Sequence, residues 1–153
     1  MIEKIDKDLY YDERSAGGVV YKKDGKKIMW LIIKTMGIKS DYAIFKFPKG
    51  HMIGHEFLKQ TALREVEEEG RIKAKIISKL ASNNYIIWDK IEKKKIIKKV
   101  TFFLMEYVGE SNLRHFDKEM VLDREWFTQE EAMKRLAYDS EKVLLSKAVN
   151  KVK

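Results

Sequence analysis

The chain has 153 residues, 44% of them hydrophobic and 37% charged, so it carries enough apolar sequence for one core and too much for wholesale disorder. We expect a single domain over residues 1–153. The absence of cysteine excludes disulfides, thiolate zinc sites and a cysteine nucleophile, so any metal must be held by oxygen or imidazole. No apolar run reaches the roughly 18 residues of a membrane span and the N-terminus lacks a secretion-signal profile, which predicts a cytoplasmic protein without a membrane partner.

The formal net charge of +8 suits a polyanionic partner, whether nucleic acid, an anionic membrane surface or a polyphosphate. Much of the excess comes from one lysine-rich segment, which contains Lys90, Lys93, Lys94, Lys95, Lys98 and Lys99. A run of lysines around a turn is usually a solvated surface, and we favour that interpretation over a dedicated nucleic-acid site.

In the first third of the chain, two β-rich runs over residues 15–21 and 28–35 flank the dipeptide Asp24-Gly25, a pattern that predicts a hairpin. Residues 36–43 show no clear period and indicate a loop. They lead to residues 44–47 and then to the single proline, Pro48, where we expect the chain to turn.

Residues 56–69 contain no glycine or proline and predict a helix, with a left-handed C-terminal cap expected at Gly70. Three β-rich runs follow, over residues 72–80, 85–88 and 96–108, and polar turn segments are expected to separate them. Apolar residues at helical spacing then predict helices over residues 129–136 and 140–149.

Three glutamates of the predicted helix, Glu65, Glu68 and Glu69, stand at i, i+3 and i+4 and therefore share an arc of about 100°. Such carboxylates repel one another, and a divalent cation would remove the conflict, because Mg²⁺ prefers oxygen ligands. Arg64 lies at i,i+4 to Glu68 and can hold a carboxylate. On spacing alone, an acidic solvated helix face explains the run equally well.

Ala62, Leu63 and Val66 fall on a neighbouring face of the same helix. We expect that face to pack against the sheet while the carboxylates point into a cleft.

The segment from Gly50 to Ile72 resembles the Nudix box. Gly50 is followed after five residues by Glu56 and, after seven more, by Arg-Glu-Val-Glu-Glu-Glu-Gly-Arg-Ile over residues 64–72, so every charged position of the box is filled. The one departure is Arg71, where the box has a glycine. Residues 16–20 and 47–50 are similar to the opening strand of the family and to its approach to the box, and the resemblance covers roughly residues 14–149.

The resemblance implies an α+β fold, in which a mixed β-sheet is sandwiched between α-helices and the box forms a loop-helix-loop catalytic motif. It also implies a hydrolase acting on phosphorus-containing acid anhydrides, which cleaves a pyrophosphate linkage in a nucleoside polyphosphate. The chain is most similar to bacterial members that resemble diadenosine polyphosphate hydrolases. Oxidised nucleoside triphosphates, capped RNA and nucleotide sugars remain alternative substrates. An RNA 5′-end pyrophosphohydrolase and a non-catalytic nucleic-acid-binding module on the same fold remain alternative functions.

By the same resemblance, the ligands of Mg²⁺ or Mn²⁺ are expected to be Glu65, Glu68 and Glu69, with Arg64 as a further functional residue of the box. Glu56 is expected to support the loop or a second metal. Glu119 is the candidate general base or additional ligand, although it lies one residue further from the box than expected.

Lys49 and Gly50, beside the box, are candidates for binding the substrate, with Lys49 as a point charge for a phosphate. Five aromatic residues include candidates for stacking on a base, and each by itself is expected in the core, since aromatic residues in strands usually supply packing area. They are Tyr85, Trp88, Phe102, Phe103 and Tyr138.

Overall fold

The computed structural model describes residues 9–36, 42–91, 93–113 and 121–153. Within these ranges the chain forms, in order, β1 (Leu9–Asp24), β2 (Lys27–Met36), β3 (Ala43–Lys46), β4 (Lys49–His51), α1 (Leu58–Gly70), β5 (Ile72–Asp89), β6 (Lys94–Glu110), β7 (Val121–Phe127), α2 (Gln129–Arg135) and α3 (Asp139–Val152).

The strands of the described residues form one seven-stranded sheet in the order β3-β2-β1-β6-β5, in which β4 also pairs with β1 and β7 with β2. The central pair, β1 with β6, is parallel, and the other pairings are antiparallel. The predicted hairpin is confirmed, because Asp24 pairs with Lys27 across a turn in which Gly25 has a φ of +63°. A positive φ is a conformation that glycine adopts without the steric cost of a Cβ atom.

Each face of the sheet carries its own hydrophobic cluster. On one face, α2 and α3 supply Ala132, Leu144, Leu145 and Ala148 to a cluster that includes Phe47 and the strand residues beneath it. On the other face, α1 packs its Ala62 and Val66 against Val20, Leu31 and Met105. The predicted mixed sheet between helices is therefore confirmed.

The predicted break between residues 80 and 85 is wrong, because β5 runs without interruption from Ile72 to Asp89. Its polar residues are accommodated by the ladder with β6, where the Ser82 and Thr101 hydroxyls lie 2.9 Å apart. Irregular pairing between Ile76 and Ser78, and again between Lys79 and Ala81, absorbs the extra residues. A single long strand therefore replaces the two predicted short ones.

The C-terminal helices are confirmed with shifted bounds. Thr128 caps α2 by accepting a hydrogen bond from the Glu131 N–H, while the Glu131 side chain accepts from the Thr128 N–H, so this helix begins at a capping box. α3 continues three residues beyond the predicted end. None of the helices in the described ranges has the length and apolar content needed to cross a bilayer.

Candidate active site

Helix α1 begins at Leu58, two residues after the predicted start, because Glu56 has a different role. One oxygen of the Glu56 carboxylate accepts from the Ile53 N–H at 2.9 Å and from the Thr61 hydroxyl at 3.1 Å, so this residue ties the preceding loop to the first helical turn. The Phe57 N–H is satisfied by the side chain of Gln60 at 2.8 Å. The bond from Gln60 serves an N–H that the start of the helix leaves without an intrahelical partner.

The buried side of α1 contains two of the three predicted metal ligands. Glu65 is 1% exposed and Glu69 is 8% exposed, alongside the fully buried Ala62 and Val66. The prediction that Leu63 packs against the sheet is wrong, since Leu63 is exposed. Glu65 and Glu69 are one helical turn apart and lie on the side of the helix next to the sheet. An amphipathic pattern would place Leu63 on that side instead.

Gly50 in β4 lies directly against Glu65. A Cβ atom at position 50 would overlap the Glu65 carboxylate, so only glycine allows this strand to approach the helix so closely. The first residue of the box therefore has a packing reason that follows from the position of a candidate metal ligand.

Arg64 lies at the centre of a cluster of carboxylates. It makes a bidentate pair with Glu56, with Nε to Oε2 at 2.6 Å and Nη2 to Oε1 at 3.0 Å. Its Nη1 donates to Glu65 Oε1 at 2.8 Å and lies 3.3 Å from Glu68 Oε2. Nη2 also donates to the carbonyl oxygen of His51 at 2.8 Å. The expected contact with Glu68 is present, but the closest partner is Glu56.

These hydrogen bonds shift the ionisation of both partners. Donation by Arg64, with further bonds from Ile53 and Thr61, lowers the pKa of Glu56 to about 2. The pKa of Arg64 rises, chiefly because of its bond to Glu56. Glu56 therefore stays a carboxylate near neutral pH and keeps the guanidinium in one orientation.

The third predicted ligand, Glu69, has a different partner. Its Oε1 accepts the backbone N–H of Lys49 at 2.8 Å, whereas Glu65 and Glu68 contact Arg64. In the described part of the chain, no group of three or more histidine, aspartate or glutamate side chains is gathered as in a metal cluster. The donors still suit Mg²⁺ or Mn²⁺, because they are all carboxylate oxygens along one helix. Glu119 lies outside the described residues.

The end of α1 differs from the sequence prediction. Arg71, and not Gly70, takes the left-handed conformation, with φ 58° and ψ 31°, and its N–H donates to the Glu67 carbonyl at 2.9 Å. Gly70 is needed for packing, since a Cβ atom there would lie 2.7 Å from Leu31 Cδ2. Arg124 of β7 donates to the carbonyl oxygens of both residues at 3.0 and 3.2 Å, a cap that no sequence pattern revealed.

On the opposite face of the sheet, next to α3, lies a cavity of about 350 Å³. It combines basic, aromatic and apolar walls, formed by Lys46, Lys49, Asn83, Tyr85, Lys98, Val100, Phe102, Tyr138, Ser140, Glu141 and Leu144. The cavity adjoins the box through Lys49, whose side chain lines it and whose N–H binds Glu69. Burial, together with the nearby charge of Lys46, lowers the pKa of Lys49.

Two of the five aromatic residues lie in the core as expected, since Phe102 and Phe103 are each 4% exposed. That expectation is wrong for the other three. Tyr85 and Tyr138 are 42% and 46% exposed at the cavity, and Trp88 is 57% exposed. Tyr85 and Trp88 lie in the last five residues of β5, and Tyr138 is the N-cap of α3, so all three lie at the end of an element.

Glu141, in the first turn of α3, was not expected at any site. It is 4% exposed, lines the cavity, and accepts a hydrogen bond from the Phe47 N–H at 2.9 Å. Burial raises its pKa to about 7, although its bond to Phe47 and the charges of Lys46 and Lys49 act in the opposite direction. An acidic residue in a first helical turn usually reflects the helix dipole, so the sequence held no signal for this placement.

The lysine-rich segment behaves largely as a solvated surface. Lys90, Lys93 and Lys95 are exposed. Lys98 and Lys99 are half-buried, and Lys98 contributes to the cavity wall. Part of the positive charge thus faces the candidate site.

Comparison with known proteins agrees with the resemblance of the box. A family model for the NUDIX domain matches residues 12–147. MutT4 of Mycobacterium tuberculosis is 33% identical over 134 residues, which make up 86% of this chain and 52% of that protein, so the chain spans about half the length of this relative.

Several solved structures share the fold. An Ap4A hydrolase of C. elegans aligns with a TM-score of 0.64 at 24% identity, covering 92% of this chain and 98% of that one. A NUDIX hydrolase from Nitrosomonas europaea gives 0.68 at 15% identity, with 91% and 89% covered. The NUDIX domain of Shewanella oneidensis NrtR, complexed with ADP ribose, gives 0.64 at 17% identity with both chains fully covered. The chain belongs to the Nudix family.

Proposed function

We propose that the chain is a metal-dependent pyrophosphohydrolase that cleaves a pyrophosphate linkage in a nucleoside polyphosphate. The observation that carries this proposal is the double contact of Lys49, which lines the cavity with its side chain and binds Glu69 of the box through its N–H. A ligand held in the cavity would have its phosphates beside a lysine and next to the carboxylates of α1. A recognition pocket and a set of candidate metal ligands thus meet at one residue.

In this proposal Glu65, Glu68 and Glu69 hold Mg²⁺ or Mn²⁺. When bound, the metal neutralises phosphate oxygens and lowers the pKa of the attacking water. Arg64 donates to Glu65 and Glu68 and is itself fixed by Glu56, so it orients two of the three ligands. Glu119 accepts the proton of the attacking water. Gly50 leaves room for the Glu65 carboxylate against β4.

The cavity takes the nucleoside end of the substrate. Tyr85 and Tyr138 offer rings for stacking on a base, and base–aromatic stacking contributes about 1–3 kcal/mol. Lys46, Lys49 and Lys98 place positive charge where the phosphates would lie. A diadenosine polyphosphate is our first candidate, followed by an oxidised nucleoside triphosphate. The structural relatives support an adenine nucleotide, since one is an Ap4A hydrolase and another was solved with ADP ribose.

A panel of nucleotides tests the proposal. Purified protein with Mg²⁺ or Mn²⁺ is incubated with diadenosine tetraphosphate, ADP-ribose and 8-oxo-dGTP, and the products are identified by mass. We expect cleavage of at least one anhydride bond and no turnover in excess chelator. Turnover that persists under chelation would eliminate the metal mechanism.

The cavity is tested separately by two substitutions on opposite faces of β5. Tyr85→Ala should raise KM for the nucleotide about tenfold or more, as expected from the loss of one stacking contact. Trp88→Ala is the matched control, because Trp88 lies three positions along the strand and therefore projects from the other face. Equal effects of the two substitutions would rule out the cavity as the nucleoside site.

An RNA 5′-end pyrophosphohydrolase is the second candidate, and the exposed Trp88 favours it. Trp88 pairs with Lys95 of β6, and Ile86 is exposed beside it on the face of the sheet that carries α1. An exposed aromatic residue opposite a lysine is suited to a single-stranded nucleic acid.

This candidate is tested with a 5′-triphosphorylated RNA oligonucleotide at two salt concentrations. Trp88→Ala with Lys95→Gln should weaken binding and make its salt dependence shallower if RNA is the substrate, and should leave diadenosine tetraphosphate cleavage unchanged. Binding of RNA without hydrolysis of any nucleotide would instead favour a non-catalytic module.

A further inference from the structure

We propose that Glu141 is a positioning residue for the candidate active site: its carboxylate on α3 fixes the backbone of residues 47–49, and through that backbone the placement of Lys49 and Glu69. The catalytic meaning of this role rests on the proposed function. The mechanical part does not, because it concerns hydrogen bonds within the protein.

The segment between β3 and β4 is held from several elements at once. The Phe45 carbonyl accepts from the Ala137 N–H at 3.0 Å, and the Pro48 carbonyl accepts from the Gly18 N–H at 3.1 Å. In the same stretch, the Phe47 N–H donates to Glu141, and the Lys49 N–H donates to Glu69. Each attachment reaches the segment from a different part of the fold.

Residues 47–49 have two backbone N–H groups, because Pro48 has none. Both of them donate to carboxylates. Glu141 belongs to α3 on one face of the sheet, and Glu69 to α1 on the other. Residues 47–49 are therefore hydrogen-bonded to a cavity residue at one end and to a candidate metal ligand at the other. Loss of the first bond removes one of the attachments that position the backbone making the second.

The bond between Glu141 and Phe47 is buried at both ends. Phe47 is fully buried, and a buried N–H that loses its acceptor costs about 1–3 kcal/mol. The charged groups that face Glu141 across the cavity are Lys46 from β3, Lys49 from β4 and Lys98 from β6, and the tyrosines Tyr85 and Tyr138 complete the titratable lining. Positive charge on these sides favours the carboxylate form, which is the stronger acceptor.

The experiment uses Glu141→Leu, which removes the acceptor, and Glu141→Gln, which keeps an acceptor oxygen of the same reach without the charge. Asp139→Asn is the matched control, because it removes an exposed acid from the same helical turn. Amide hydrogen exchange of the metal-free protein, followed by NMR, reports the Phe47 and Lys49 N–H groups directly. Steady-state kinetics with diadenosine tetraphosphate reports kcat and KM.

We expect Glu141→Leu to speed exchange at Phe47 and Lys49 about tenfold or more relative to the N–H groups of β1 and β6, and to lower kcat about tenfold with a smaller change in KM. Asp139→Asn should remain within about twofold of the wild type, and Glu141→Gln should recover most of the loss seen in Glu141→Leu. If Glu141→Leu does not fold, Glu141→Asp, which is one methylene shorter, should show the same pattern to a smaller degree.

Unchanged exchange at Lys49 in Glu141→Leu would overturn the proposal, and so would a uniform increase across the sheet, since either result leaves no specific link between the two carboxylates. If the wild type cleaves no nucleotide, the proposed function fails and hydrogen exchange alone decides the positioning role. If cleavage is intact and insensitive to Glu141→Leu, the positioning role fails and the proposed function stands.

Discussion

Arg71 takes the left-handed conformation at the end of α1, while its neighbour Gly70 remains helical with its Cα against Leu31. The two residues thus divide between them what a single glycine often provides at a helix end. Arg71 supplies the reversal of the chain and Gly70 supplies the space for packing.

This division predicts opposite effects at adjacent positions. A left-handed non-glycine residue costs roughly 1–2 kcal/mol, so Arg71→Gly should raise the free energy of unfolding by about 1 kcal/mol. Gly70→Ala should lower it, because the new methyl group meets Leu31. Denaturant titration measures both. Arg71→Ala is the control, since it removes the side chain and keeps the backbone strain, and an equal gain in the alanine and glycine variants would contradict the explanation.

The carboxylates of α1 give a second prediction. Glu68→Gln and Glu69→Gln should each lower turnover about 10²-fold or more, as expected when a charge that acts on the transition state is removed. Neither should reduce stability by much, because a glutamine oxygen still accepts from Lys49 or Arg64. Glu130→Gln, at an exposed acid of α2, serves as the control. Wild-type turnover in both variants would leave these glutamates as ordinary residues of an acidic helix.

The buried carboxyl group of Glu141 predicts a dependence of stability on pH. Because its pKa is raised to about 7, the folded protein holds a proton that the unfolded chain releases near pH 4.5. The resulting stabilisation is fully present below pH 4.5 and is lost as the pH rises through 7, a change of up to about 3 kcal/mol. Between pH 5 and pH 8, the wild type should therefore lose more stability than Glu141→Gln. Parallel pH profiles of the two proteins would contradict the pKa shift.

Glu119 provides a fourth prediction, made from sequence resemblance alone. If its carboxylate takes the proton from the attacking water, Glu119→Gln should lower turnover about 10²-fold to 10⁴-fold and flatten the acidic limb of the pH–rate profile. A loss that is recovered at high Mg²⁺ would instead identify a metal ligand. A variant that matches the wild type in turnover and pH profile would exclude both roles and direct attention to Glu56, Glu68 and Glu69.

Much of the fold could be predicted from local pattern. The β1–β2 hairpin follows from an Asp-Gly turn between β-rich runs, and α1 follows from an uninterrupted stretch of good helix formers. The spacing of the box alone identifies Glu56, Arg64 and the three ligand candidates. These features depend on residues close together in the chain, which is why a single sequence reveals them.

The rest depends on contacts between distant segments. Glu141 reaches Phe47 across 94 positions, and Arg124 reaches Gly70 across 54, so neither has a spacing that a sequence pattern could reveal. The continuity of β5 is also a tertiary effect, because Ser82 is stabilised in the strand by Thr101 on its neighbour. The predicted left-handed cap at Gly70 is wrong for a related reason, since Gly70 packs against Leu31 and the left-handed turn lies one residue later, at Arg71.

The parallel pairing of β1 with β6 at the centre of the sheet has a consequence for the order of folding. Residues 9–21 pair with residues 95–106, which are synthesised much later. The β1–β2 hairpin can therefore form early, while the edge of β1 that pairs with β6 stays unpaired until most of the chain has been made. Contacts of such large sequence separation form slowly. On the ribosome, the hairpin edge should remain open until β6 has emerged, and that interval is when the nascent chain is most exposed to aggregation or to a chaperone.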